Sequence, residues 1–211
     1  MAPMKVEPTA SYPVEEGQYV LGDKYSPVAV AVHTLAAKWD ERVEAIVRTA
    51  IDSGAAIAGS IQTPNLGIER IVANTVGNPN IRYLVMCGAG SKEGMAGAKA
   101  LKALATNGAD KRGVIVDSGV EGAYVFNISR EAIDRFREQV RVIDLCGEYD
   151  AGAVRQVVEA CRNEQPGTFR GMPLQDPGAF DGPPINAKIE IKVKDPFSVE
   201  EWELDDILNE I

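Results

Sequence analysis

Residues 55–94, AAIAGSIQTPNLGIERIVANTVGNPNIRYLVMCGAGSKEG, contain a complete strand, helix, strand and glycine-rich loop in that order. Ala55–Ala58 is a short apolar run of the kind a strand buried on both faces requires. Asn65–Val76 follows with apolar side chains at helical spacing and stops at Gly77 and Pro79. Ile81–Met86 reads as a second buried strand, and Cys87–Gly94, CGAGSKEG, then turns toward another helical pattern. In open α/β sheets such a loop, leaving the carboxyl end of a strand, is where ligands are held.

The same alternation extends in both directions. Upstream, Val28–His33 is a strand pattern, and Trp39–Ser53 carries Val43, Ile46, Val47 and Ala50 on one helical face before Gly54. Downstream, Met95–Thr106 is helical and closes at Gly108; Val114–Val116, Ser129–Val140, Val142–Asp144 and Ala151–Cys161 continue strand, helix, strand, helix. Short apolar strands alternating with amphipathic helices predict a doubly wound, Rossmann-like α/β fold: a parallel sheet covered by helices on both faces.

Residues 1–26 are rich in Pro, Glu and Gly without a sustained period and read as an irregular N-terminal arm, so the α/β domain is expected over 27–164. Residues 165–187 form a linker with Pro166, Pro173, Pro177, Pro183 and Pro184. Residues 188–211 read as an appendage. Lys188–Lys194, KIEIKVK, alternates strictly like an edge strand, and the capping box Ser198–Glu201 opens an acidic amphipathic helix with Trp202, Ile207, Leu208 and Ile211 on one side.

Charge and cysteine usage narrow the function classes. With 31 acidic against 22 basic side chains the net charge is -9, which repels nucleic-acid phosphates and anionic membrane surfaces. No run reaches the ~20 apolar residues of a membrane span, and the first residues do not form a signal peptide, so a cytoplasmic protein is expected. Cys87, Cys146 and Cys161 are far apart and lack a C-x-x-C spacing, as buried reduced thiols would. A single histidine, His33, leaves no local material for a Ser/His/Asp triad, an H-E-x-x-H motif or a Cys/His pair.

Two loops carry the chemistry. Cys87–Gly94 is not a P-loop, because no Gly-Lys-Ser/Thr ends it, and Gly88, Gly90 and Gly94 miss G-x-G-x-x-G by one residue. It remains either an anion nest at a helix N-terminus or a tight structural turn. Ser118–Tyr124, SGVEGAY, is similar: Gly119 and Gly122 either border a ligand or simply permit positive φ. Loops at strand carboxyl ends border one crevice, so Gln62, Thr63, Asn65, Gly88, Gly90, Gly94, Ser118, Gly119 and Gly122 are expected to line a single pocket. His33, near the carboxyl end of the first predicted strand, is the one metal-ligand candidate; the alternative is an imidazole bonded to a backbone carbonyl. Met95 reads as core filling, and Glu69 and Arg70 as a charged helix face at the pocket rim.

Several words of this sequence resemble the A subunit of tetrahydromethanopterin S-methyltransferase: AAIAG at 55–59, TPNLGIER at 63–70 and NPNIRYLVMCG at 78–88. Residues 12–30, YPVEEGQYVLGDKYSPVAV, resemble that family's amino-terminal segment. NGADKR at 107–112, RFREQVRVIDL at 135–145 and DPGAF at 176–180 resemble its second half. Membership implies a corrinoid (cobamide) cofactor and methyl transfer from a methylated tetrahydropterin to a thiol such as coenzyme M, a place in methanogenic one-carbon metabolism, and partners among other methyltransferase subunits or methyl donor and acceptor proteins. The family's loop after C-G carries a histidine that coordinates the corrinoid cobalt. Aligned on Cys87 and Gly88, Gly94 stands at that place, which leaves His33, water or the cofactor's own base as the lower ligand. The competing reading is a relative that has lost the corrinoid and serves as a binding or scaffold protein, or takes another small ligand at the glycine-rich loop.

Overall fold

The computed structural model describes residues 4–88, 95–147 and 149–176. The predicted strand at 188–194, the helix after Ser198, and Gly90 and Gly94 lie outside the described residues.

The described chain runs β1 (Tyr19–Leu21), β2 (Val28–His33), α1 (Glu41–Asp52), β3 (Ile57–Ile61), α2 (Leu66–Val76), β4 (Tyr83–Cys87), α3 (Ala96–Asn107), α4 (Arg130–Gln139), β5 (Arg141–Asp144) and α5 (Ala151–Asn163). The sheet order is β1-β3-β2-β4-β5. β3, β2, β4 and β5 are parallel, as the alternation of strands and helices requires, while β1 pairs antiparallel with β3 through Tyr19 opposite Gly59. The sheet is therefore mixed, with the doubly wound parallel core expected from the sequence.

Strand alternation sends neighbouring side chains to opposite faces. Ala29, Ala31, Leu84 and Met86 pack with Ile68 and Val72 of α2, Leu101 and Leu104 of α3 and Phe136 of α4. Val28, Val30, Val32 and Val85 face the other way, onto Val43, Ile46 and Val47 of α1 and Val154 and Val158 of α5. Each fully buried side chain of this kind contributes roughly 1.5–3 kcal/mol, so the two layers hold helices that would be marginal alone. Helix starts are set by short polar caps: Asp40 Oδ1 accepts from the Arg42 and Val43 amides at 3.0 and 2.9 Å, and Ser129 Oγ accepts from Ala132 at 3.1 Å.

Three expectations need correction. Residues 19–21, read as part of an irregular arm, form the sheet's antiparallel edge. The second parallel strand occupies 57–61 rather than 55–58, because Ala55 and Ala56 are used in closing the end of α1 and in a bond from the Ala56 amide to Val28 O at 2.7 Å. Val114–Val116 is not a strand of the sheet; Val114 and Ile115 make only isolated bridges, to Tyr124 and Ala109. Residues 165–176 start beside the amino-terminal ends of the strands, where the Phe169 amide donates to Pro79 O at 2.9 Å and that of Leu174 to Val76 O at 3.0 Å, and reach the start of α4, where the Ser129 amide donates to Asp176 Oδ2 at 3.0 Å.

Candidate functional site

The chain leaves β2 toward α1 on one face of the sheet and leaves β4 toward α3 on the other. A crevice opens between the carboxyl ends of two adjacent strands whose loops diverge in this way. His33 ends β2 there, and Gly88 follows β4 beside it. Gly88 has φ +97, and a Cβ on it would sit 2.4 Å from His33 O, so no larger residue fits this approach. His33 is 1% exposed, and neither Nδ1 nor Nε2 has a hydrogen-bond partner among the described residues. Burial lowers its pKa, so the imidazole is neutral, with one nitrogen lone pair uncommitted.

Around this crevice the thiols are held protonated. Burial pushes Cys87 up to about 12. Cys146, beyond β5, is pushed to about 12 by burial and then by the Asp144 carboxylate, which also pairs with Lys102 at 2.6 Å and accepts from the Cys146 amide at 3.0 Å. Thiolate chemistry at neutral pH is disfavoured at both. Among the described residues no three or more His, Cys, Asp or Glu side chains converge to hold a metal ion.

The polar residues expected to face a ligand are also engaged by the fold. Gln62 Nε2 donates to Ala36 O at 3.0 Å and to Gln18 Oε1 at 3.2 Å, tying the end of β3 to the loop after β2 and to the arm. Thr63 Oγ1 accepts from Gly67, and Asn65 Oδ1 from Leu66, so both cap α2. Ser118 Oγ bonds only within its own turn, to Val120, while Gly119 (φ +62) and Gly122 (φ +72) stand in open space. Gln62 and Thr63 border a cavity of about 320 Å³, but its other walls come from the arm, α2 and the faces of β2 and β3. Asn65, Gly88, Ser118, Gly119 and Gly122 are not among its lining.

Sequence reasoning missed the residues that build this region. Asn74 exchanges two hydrogen bonds with the Glu15 backbone, at 2.8 and 3.0 Å, and Asn80 exchanges two with Val6, at 3.1 and 2.7 Å. Each amide side chain thus pairs with the arm as a neighbouring strand would. Asn78 Nδ2 adds a bond to Lys24 O at 2.9 Å. Asn74, inside the otherwise apolar run of α2, was the available signal, since such groups are buried only when satisfied. Glu69, expected on a solvated face, is 4% exposed and accepts from Asn127 N and Nδ2 at 2.9 and 2.8 Å, joining the first turn of α2 to the segment before α4. Arg70 does face solvent, at the cavity mouth.

Comparison with known proteins covers most of the chain. The family of the tetrahydromethanopterin S-methyltransferase A subunit matches residues 5–196. The A 2 subunit of that enzyme from Methanobrevibacter ruminantium is 41% identical over 166 residues, covering 77% of this chain and 80% of the relative. The A 1 subunit from Methanothermobacter thermautotrophicus is 39% identical, covering 78% of this chain and 66% of the relative. The A subunit from Methanocaldococcus jannaschii is 38% identical, covering 88% and 69%. The chain thus spans two thirds to four fifths of these relatives. The matched span includes the arm, the parallel sheet and the carboxyl-edge crevice together, and the chain belongs to the family of tetrahydromethanopterin S-methyltransferase A subunits.

Proposed function

We propose that this chain serves as the A subunit of a methyltransferase that carries a methyl group from a methylated tetrahydropterin to a thiol such as coenzyme M, with a corrinoid at the carboxyl edge of the sheet. Family membership supports the reaction class. The observation that carries the cofactor is His33: a neutral, buried imidazole with both nitrogens unpartnered among the described residues, at the diverging β2 and β4 loops. A bound corrinoid supplies a cobalt centre able to accept and release a methyl group. The chain's own part is to hold and orient it: Gly88 lets the end of β4 lie directly against the His33 backbone, and His33 offers a nitrogen donor. The relatives are named as subunits, so the reading includes other methyltransferase subunits as partners. Among the described residues no helix is long and apolar enough to cross a membrane.

Gly94, at the place of the family's cobalt-binding histidine, favours the second reading: a family member that no longer carries the corrinoid and works as a binding protein. Titration of the full chain with hydroxocobalamin, followed in the visible spectrum, separates the two. The first reading expects weak uptake, a stronger and more complete spectral change in Gly94→His, and loss of the imidazole-type spectrum in His33→Ala. No spectral change with the unaltered chain or with Gly94→His overturns it in favour of the second.

A further inference from the structure

On the α2 side of the sheet, the cavity of about 320 Å³ lies between the arm and the β2–β3 surface. Well-packed interiors leave few voids larger than a water molecule, and a cavity of roughly 150 Å³ already admits benzene. This one lies within the range of small-molecule pockets, roughly 300–1,000 Å³. Its depth comes from small residues on one face of two adjacent strands: Ala29 and Ala31 on β2, Gly59 on β3. Gly59 must be small, because a Cβ there would lie 2.5 Å from Gln18 O in the arm. Leu66 and Ile71 of α2 make the apolar roof.

The mouth is charged. Arg70, one helical turn beyond Leu66, is exposed and has no hydrogen bond, ion pair or ring contact among the described residues. On the same helix layer Arg135 and Arg137 are engaged, by Gln139 and by Thr106 O. Glu16 lines the cavity from the arm and is not paired with Arg70. A guanidinium presents a planar fork of donors suited to a carboxylate, and a carboxylate on the same rim repels a second negative group.

We propose that this slot is a binding site for a small monoanion with an apolar body, carboxylate toward Arg70 and body on the Ala29–Ala31–Gly59 floor. The site is separate from the β2–β4 crevice; among the described residues of the predicted set only Gln62 and Thr63 border it, and it stands whether or not a corrinoid is carried.

The test is an amide-resolved NMR titration of the full chain with 2-naphthoate and with its neutral counterpart 2-naphthamide. The expected result is saturable shifts at Gly59, Gly67 and Arg70 with 2-naphthoate, and binding about tenfold weaker for 2-naphthamide, as for loss of one charge-assisted pair. Arg70→Met, on an exposed position, should abolish the preference between the two probes while leaving the fold's spectrum intact. Ala31→Leu should fill the floor and remove binding of both. Absence of saturable shifts at these amides, an undiminished preference in Arg70→Met, or unaltered binding in a folded Ala31→Leu overturns the proposal.

Discussion

Replacing Asn80 by alanine tests whether the arm is part of the folded unit. Asn80 is 1% exposed; its side chain accepts from the Val6 amide at 3.1 Å and donates to Val6 O at 2.7 Å, Lys24 O at 3.3 Å and Asn78 Oδ1 at 2.9 Å. Neutral hydrogen bonds contribute about 0.5–1.5 kcal/mol each net of water. The Val6 and Lys24 groups lie in partly exposed chain and rehydrate when released, which places the loss from Asn80→Ala near ~2 kcal/mol rather than at the sum of the bonds. For a domain of this size that is a fall in Tm of roughly 4–8 °C. Thermal denaturation gives the shift, and hydrogen exchange at the Val6 amide localises it. Asn80→Asp keeps the acceptor for Val6 but turns the donor side into a carboxylate facing the Val6 and Lys24 carbonyls. It should therefore be at least as damaging at neutral pH. Its deficit should shrink as pH falls below neutrality and be gone by about pH 4, because the carboxylate facing those carbonyls takes up a proton in the folded state before the unfolded carboxyl does. Unchanged Tm together with unchanged Val6 exchange in both variants would refute the clamp.

The remaining expectations concern titration and thiol reactivity. Tyr83 is pushed to about 12 by burial and by its 2.5 Å bond to Glu164, and Tyr12 to about 12 by burial. With folded values above an unfolded value of about 10, their stabilisation is complete below about pH 10 and lost as pH rises toward about 12. Chemical denaturation across that window should show a shallower decline in Tyr83→Phe, and equal slopes would contradict the assignment. His33 has its pKa lowered by burial, so stability is present above an unfolded value of about 6.5 and falls with acidification below it. In protein free of corrinoid, His33→Gln should flatten the stability profile between about pH 7 and 5, and an identical profile would count against burial of the neutral ring. Cys146, although partly exposed, should alkylate slowly with iodoacetamide near neutral pH, and Asp144→Asn should speed labelling by lowering the thiol's pKa. Mass spectrometry of the labelled chain reads both, and fast labelling of the unaltered protein would contradict the raised pKa.

The parallel core was legible because its signals are local. Val28–His33 and Tyr83–Cys87 are apolar almost without interruption, and Val43, Ile46, Val47 and Ala50 recur at helical spacing, so burial on two faces follows from composition alone. Tyr19–Leu21 was not legible: three residues carry no measurable period, and what makes them a strand is the bare Gly59 surface, about forty residues on in sequence, against which they pair. Val114–Val116 failed for the opposite reason. Three apolar residues look like a strand, but residues 108–129 turn back on themselves, and Ile115 bonds to Ala123 instead of to the sheet.

The same distinction explains the site. Gln62, Thr63 and Asn65 follow a strand and precede a helix, a position at which polar residues serve ligands and helix caps alike; their hydrogen bonds show that the fold already uses them. His33 and Gly88 meet because β2 and β4 are neighbours, which the chirality and order of the crossovers dictate but no local spacing records. The cavity is further from sequence still, assembled from the arm, several strands and α2. Its walls depend on Asn74, which lines it and also holds Glu15 of the arm. Retention of the arm and the shape of the slot are therefore one property of the fold: Asn74→Ala should loosen Glu15 and Glu16 together and widen the mouth opposite Arg70. If the slot binds as inferred, this variant weakens 2-naphthoate while sparing the β2–β4 crevice, where His33 and Gly88 are held by the sheet itself. Shifts of equal size at the His33 amide and at Gly59 in the same NMR titration would show that the two regions are not independent.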